Sequence, residues 1–201
     1  MVAIVDYDAG NIRSVEKAVK YLGKDCVVTD DSRQILEADH VILPGVGAFG
    51  DCMEQLQDRR LVEVIKQVVK EDIPFLGICL GLQLLFDDSE ESEGVNGLGI
   101  LHGHIIRFPD REDLKVPHMG WNSISFPREG RLFKGIPEES FVYFVHSYYL
   151  KADDPSIVTA VCDYGLTFDA SVEKGNVFAT QFHPEKSGET GLAILKNFLE
   201  I

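Results

Sequence analysis

The chain has 201 residues, 45% hydrophobic and 26% charged, which is enough for one full hydrophobic core and is an ordinary globular balance. Its 33 acidic against 19 basic residues leave a net charge of −14, which argues against a nucleic-acid or anionic-membrane surface. The four cysteines, Cys26, Cys52, Cys79 and Cys162, are scattered with no C-x-x-C pair, so a disulfide framework is not expected and a reduced, cytoplasmic compartment fits.

The first six residues carry no basic leader and read directly as a strand, so no signal peptide is expected. No apolar run reaches the ~18 residues of a membrane span. Residues 2–5 read as a buried strand, and Asn11 can cap a helix over residues 12–22 that stops at Gly23. Residues 27–29 and 41–43 read as strands around a short helix opened by Asp31 and Ser32. Helical material follows to about Glu71; its second part places Leu61, Val64, Ile65, Val68 and Val69 on one face. Residues 75–78 are a fourth strand, and residues 80–86 read as a helix. Alternating helices and all-apolar strands predict a parallel sheet covered on both faces. After Asp87 the pattern changes to strands at 100–108, 121–126, 141–150, 157–163, 168–173 and 177–182. Turns at Asp163-Tyr164-Gly165 and Lys174-Gly175-Asn176 predict antiparallel hairpins, and Ser187 caps a last helix over 188–199. No repeat or linker divides the chain, so a single α/β domain over 1–201 is expected.

The most informative stretch is Gly77-Ile78-Cys79-Leu80-Gly81, between the fourth strand and the helix after it. This is the strand–turn–helix setting of a nucleophile elbow, with a thiol in place of serine. The glycines remove side chains where the chain must turn and where backbones come close. The turn would put the sulfur at a helix N-terminus, where free N–H groups favour an anion. Taken alone, the pattern also suits a small buried cysteine in a tight turn.

A catalytic thiol needs a base and a group to orient it. His183 follows a strand in Gln181-Phe182-His183-Pro184-Glu185, and on an extended chain Glu185 would point to the same side as His183. A polar loop before a helix would look similar. Pro44-Gly45-Val46-Gly47 ends a strand at the same edge and could turn backbone N–H groups toward a substrate oxygen, or be a plain glycine turn. Cys26, Cys52 and Cys162 lack such surroundings, and no histidine or cysteine pair has ligand spacing, so neither metal nor cofactor is expected.

Together these three motifs, in this order, resemble the class I glutamine amidotransferases over essentially the whole chain. Pro117-His118-Met119-Gly120-Trp121-Asn122, Tyr143-Phe144-Val145-His146-Ser147-Tyr148 and Asp6-Tyr7 with Gly10-Asn11 resemble the glutaminase subunits of imidazole glycerol phosphate synthases. Leu82 stands where methionine is common, and Asp8-Ala9 replaces a usual Gly-Met; neither touches the three motifs. The resemblance implies a flavodoxin-like, mostly parallel sheet flanked by helices with an antiparallel extension. It implies Cys79 as nucleophile, His183 as acid and base, and Glu185 as its orienter. Val46, Gly47 and Leu80 would hold the oxyanion through backbone N–H groups. Gln83, Glu91, Ser147 and Tyr148 would grip glutamine, and Asn11, His118, Met119, Trp121 and Lys186 would face the partner. That partner is implied to be a (β/α)₈ cyclase, joined as a heterodimer, which uses the ammonia to make imidazole glycerol phosphate and AICAR in histidine biosynthesis. The glutaminase of another synthase, such as that of pyridoxal phosphate formation, should lack the 117–122 segment. A silent regulatory subunit would not need an intact Cys79, His183 and Glu185. A flavodoxin-like binding domain suits only the first half and wants a phosphate loop, which this sequence lacks.

Overall fold

The computed structural model describes residues 1–112 and 114–201. In chain order, β1 is Val2–Val5, α1 Ile12–Tyr21, β2 Cys26–Thr29, α2 Ser32–Leu36, β3 His40–Gly45, α3 Phe49–Asp58, α4 Leu61–Lys70, β4 Phe75–Cys79 and α5 Leu80–Gln83. The second half contains β5 Asp88–Ser89, β6 Gly103–Arg107, β7 His118–Ile124, β8 Ser140–His146, β9 Tyr148–Ala152, β10 Val158–Asp163, β11 Thr167–Lys174, β12 Val177–Thr180 and α6 Gly188–Leu199. The large sheet runs in the order β2-β1-β3-β4-β12-β11-β9-β6-β5, with β10 paired to β11, and β7 and β8 form a small second sheet.

Strands β2, β1, β3, β4 and β12 are parallel, and β1, β3, β4 and β12 are buried on both faces. Alternate residues therefore feed two cores. Ala3, Val5, Val41, Leu43 and Phe75 pack against Ile35, Leu56, Leu61 and Ile65 from α2, α3 and α4. Val2, Ile4, Ile42, Leu76 and Ile78 pack against Val15 and Val19 of α1 and Ile194 and Phe198 of α6. Each such Val, Leu, Ile or Phe side chain taken fully from water contributes about 1.5–3 kcal/mol. The mostly parallel, helix-flanked sheet with an antiparallel extension is the architecture expected from the sequence, and both expected hairpins are present.

Four local expectations are corrected. The helix predicted over 80–86 is a single turn, α5, because Leu84 and Leu85 give their carbonyls to the N–H groups of Leu98 and of Ile100 and Leu101. The strand predicted over 141–150 is two strands in different sheets, β8 and β9, separated at Ser147. Asn11 does not cap α1 with its side chain, which instead reaches Glu185. Ser187 does not cap α6 with its hydroxyl, which donates to the His183 carbonyl at 2.6 Å and accepts from the Tyr143 N–H at 2.9 Å.

The placement that matters for chemistry is that of β12. It lies parallel beside β4, with Thr180 opposite Ile78, while Gly45 of β3 lies opposite Cys79 on the other side. Three strand ends thus bring the 45–47 loop, Cys79 and the 181–183 segment to one edge of the sheet.

Candidate active site

Cys79 ends β4 and has φ 56° and ψ −107°, a left-handed conformation that a non-glycine residue adopts only under constraint. The constraint is close packing around the turn. A Cβ on Gly77 would lie 2.6 Å from the Gly81 carbonyl oxygen, and one on Gly81 would run into the Leu43 carbonyl oxygen. Both glycines are therefore required by the elbow itself. The sulfur is left at the mouth of a cavity, 7% exposed at the residue level. It lies 3.9 Å from the Val145 carbonyl oxygen and accepts from Gln181 Nε2 at 3.7 Å.

His183 is fixed by its backbone. Its N–H donates to the Tyr143 carbonyl at 2.9 Å, and its own carbonyl is held by Ser187. Pro184–Lys186 then form a 3₁₀ turn. That turn, rather than the extended chain expected, brings Glu185 to the ring: Nδ1 and Glu185 Oε1 are 2.9 Å apart, with side chains 2% and 0% exposed. Asn11 Nδ2 approaches the same oxygen at 3.4 Å. Nε2 of His183 is buried with no hydrogen-bond partner among the described residues, and the ring lines the same cavity as Cys79. Burial works against charge on this ring. The sulfur first and the Glu185 carboxylate second outweigh it, and the imidazole is pushed up to about 10.

Two further cysteines, Cys52 and Cys162, are buried away from this cavity. Burial pushes the Cys52 thiol up to about 11 and the Cys162 thiol up to about 12, so both stay protonated and unreactive near neutrality.

The cavity beside Cys79 measures about 400 Å³. Val46, Gly47 and Leu80 line it, as do Gln83, Glu91, Ser147 and Tyr148. Gly47 has φ 108° and open space around it. Glu91 Oε2 accepts from the Phe49 N–H at the start of α3. Gln83 Nε2 donates to the Tyr148 carbonyl and to Gln181 Oε1, at 3.2 and 3.1 Å. Both amide hydrogens are thus spent inside the protein, and what Gln83 can offer a ligand is its carbonyl oxygen. A roomier cleft of about 850 Å³, between residues 126–138 and Glu173, contains no nucleophile and no buried titratable pair.

Residues 3–201 match the family described as glutamine amidotransferase class-I. The chain belongs to this family. It is 55% identical to the imidazole glycerol phosphate synthase subunit HisH of Bacillus cereus (strain G9842), covering 98% of this chain and 93% of that one. It is 50% identical to the HisH subunit of Methanocaldococcus jannaschii over the full length of both. Among solved structures, one described as a glutamine amidotransferase aligns with a TM-score of 0.77 over 100% of this chain and 98% of that one, at 19% identity. PurLQS from Thermotoga maritima aligns with a TM-score of 0.76 over 99% and 97%, at 20% identity. These last two likenesses establish the fold.

In this amidotransferase the residues expected to face a partner are not all alike. Met119 and Trp121 point outward from β7 and are 60% and 55% exposed. Lys186 is exposed with its ammonium over the Tyr143 ring, and Asn11 is half-buried. His118 does not share this face. It is 3% exposed, stacked between Tyr164 and Phe144. The period of two on a strand sends it inward when Met119 and Trp121 point out, and that count could have been made from the sequence. Pro117, Val145 and His146 also line the cavity and were not expected there. They arrive because the β7–β8 sheet folds over the elbow, for which no local signal exists.

Proposed function

We propose that the chain is the glutaminase subunit of an imidazole glycerol phosphate synthase. Cys79, poised on a strained elbow against a charged, carboxylate-held His183, carries this reading. The similarity to HisH subunits supports the choice of synthase.

In the reaction, glutamine enters the cavity amide first. The Gln83 carbonyl oxygen and the Glu91 carboxylate suit its α-ammonium, and the Ser147–Tyr148 backbone suits its α-carboxylate. The Cys79 thiolate attacks the side-chain amide carbon. The resulting oxyanion is met by backbone N–H groups of Val46 or Gly47 and of Leu80; losing one such donor typically costs ~10²–10³ in rate. His183 gives its Nε2 proton to the leaving nitrogen, ammonia departs, and a thioester remains. The now neutral His183 takes a proton from water, the hydroxide attacks the thioester, and glutamate and the thiolate are released. Glu185 holds the ring in one orientation through both halves.

Free ammonia would be protonated in bulk water. The chain passes it to a (β/α)₈ cyclase subunit docked over the exposed Met119, Trp121 and Lys186 and the half-buried Asn11, where imidazole glycerol phosphate and AICAR are formed. A solvent-facing Met and Trp side by side on one strand favour such a cover. Four free cysteines are in keeping with work in the cytoplasm.

The test is release of glutamate from glutamine with the cyclase present. Wild-type chain should be active, and Cys79→Ala should lose at least ~10³-fold while still binding the cyclase. Glutamine hydrolysis retained in Cys79→Ala refutes the assignment.

A further inference from the structure

Two histidines outside the proposed catalytic group are buried side by side. His118 begins β7 and His146 ends β8, opposite each other in the small sheet, 3% and 6% exposed. His118 Nδ1 and His146 Nε2 are 3.0 Å apart. His146 Nδ1 lies 2.8 Å from the Tyr148 carbonyl oxygen, and His118 Nε2 lies 3.3 Å from Asn122 Nδ2. Asn122 Nδ2 also donates to the Asp163 carbonyl at 2.9 Å, and Asn122 Oδ1 accepts from the Ser123 N–H.

These contacts admit one arrangement of protons. A carbonyl only accepts, so His146 carries its hydrogen on Nδ1. A neutral imidazole has one N–H, so His146 Nε2 must accept, and His118 must donate to it from Nδ1. His118 Nε2 is then bare and accepts from Asn122, whose amide is oriented by the Asp163 carbonyl and the Ser123 N–H. A second proton on either ring would set two donors face to face. Burial acts in the same direction, pushing His118 down to about 4 and His146 down to about 3, and the neighbouring His183 adds to the effect on His146.

The line of bonds ends at a corner of the site. Ser147 is where the chain leaves the small sheet for the large one. His146 reaches past it to the Tyr148 carbonyl, which also accepts from Gln83 Nε2. The Ser147 carbonyl is held by the Phe108 N–H at 3.1 Å. Both residues wall the cavity beside Cys79.

We propose that His118 and His146 are positioning residues, a one-directional hydrogen-bond line from Asn122 to the Tyr148 carbonyl that holds the Ser147–Tyr148 corner in the shape that binds the amino-acid end of glutamine. The choice of ligand rests on the glutaminase reading above; the line itself does not. The line acts on binding rather than on bond breaking, since neither ring reaches the Cys79 sulfur.

The test has two arms. Long-range proton–nitrogen NMR of histidine-labelled protein at pH 7 should find both rings neutral and protonated on Nδ1. His118→Phe keeps the ring stack on Tyr164 and Phe144 but has no N–H. Assayed with the cyclase present, it should raise KM for glutamine about tenfold and leave kcat within about threefold. His118→Asn, whose amide nitrogen can stand in for Nδ1, should recover most of the loss. An Nε2-protonated or doubly protonated ring in the wild type overturns the proposal. So does an unchanged KM in His118→Phe, or a His118→Asn protein that folds and is equally impaired. If His118→Phe does not fold, the NMR arm decides alone. Wild-type protein that releases no glutamate sinks the glutaminase reading and leaves the NMR pattern to be judged separately.

Discussion

Replacing Glu185 by glutamine removes one charge from the site and almost no volume. The carboxylate Oε1 is 2.9 Å from His183 Nδ1, and both side chains are sealed from water. Two unit charges whose centres are about 4 Å apart attract by about 4 kcal/mol at an effective dielectric of about 20. At ~1.4 kcal/mol per pK unit that is roughly three units of support for the imidazolium. The glutamine carbonyl can still accept from Nδ1 and returns part of it. His183 is pushed up to about 10, with burial opposing and the Cys79 sulfur and Glu185 reversing it. The alkaline limb of glutamate release, where the imidazolium is lost, should therefore move down by about two pH units. The amide can also present its NH₂ group and select the wrong tautomer; in serine-protease triads the matching change lowers kcat ~10⁴-fold. We expect a kcat loss of about 10²–10⁴ here. The assay is glutamate release against pH for wild type and Glu185→Gln with the cyclase present. A kcat within threefold and an unmoved alkaline limb would refute the charge-holding role. Stability has the same sign: a raised histidine contributes fully below its unfolded value of ~6.5, and the contribution is lost as pH rises through about 10.

Gly81→Ala should cost about 3 kcal/mol, since the new methyl meets the Leu43 carbonyl oxygen; at ~2–4 °C per kcal/mol for a chain of this size the melting temperature falls by about 6–12 °C. An unchanged Tm would show that the elbow is looser than described. His118 and His146 are pushed down to about 4 and about 3 from ~6.5 in the unfolded chain, so their contribution is complete above ~6.5 and is lost as pH falls toward those values. Each ring adds a slope of up to ~1.4 kcal/mol per pH unit, and urea midpoints at pH 7 and 4.5 should converge in a His118→Phe/His146→Asn double variant. An equal acid loss in both proteins would contradict this. The chain alone should hydrolyse glutamine far more slowly than with the liganded cyclase, because the exposed Val46–Gly47 loop is free to hold its N–H groups away from the oxyanion; equal turnover in the two conditions would count against that.

The first half of the fold was readable because its strands are buried on both faces and appear as unbroken apolar runs between helices with one apolar stripe. Asp31 was readable as a helix opener and does cap α2, accepting from the Gln34 N–H. The same property misled at residues 80–86, where an apolar run suits a buried helix and a buried turn equally. Nothing in Tyr143–Leu150 marks the switch between sheets at Ser147, because the break is a change of pairing partner and not of residue type. Cys79, His183 and Glu185 could be picked out from short motifs. Their proximity could not, since it depends on β12 pairing with β4 across about a hundred residues of chain. Gln83, expected at the site, does line the cavity, but the use of both its amide hydrogens within the wall had no signal in the sequence.

The strand that arrives last occupies the middle of the large sheet. While the chain is being synthesised, the outer edge of β4 has no neighbour until residues 177–180 emerge. A nascent molecule therefore presents Phe75–Cys79 as an open, sticky margin and calls for protection from its fellows. On the proposed mechanism a truncated product lacking residues 177–201 could not hydrolyse glutamine, because it would have the Cys79 thiol but not the His183 imidazole.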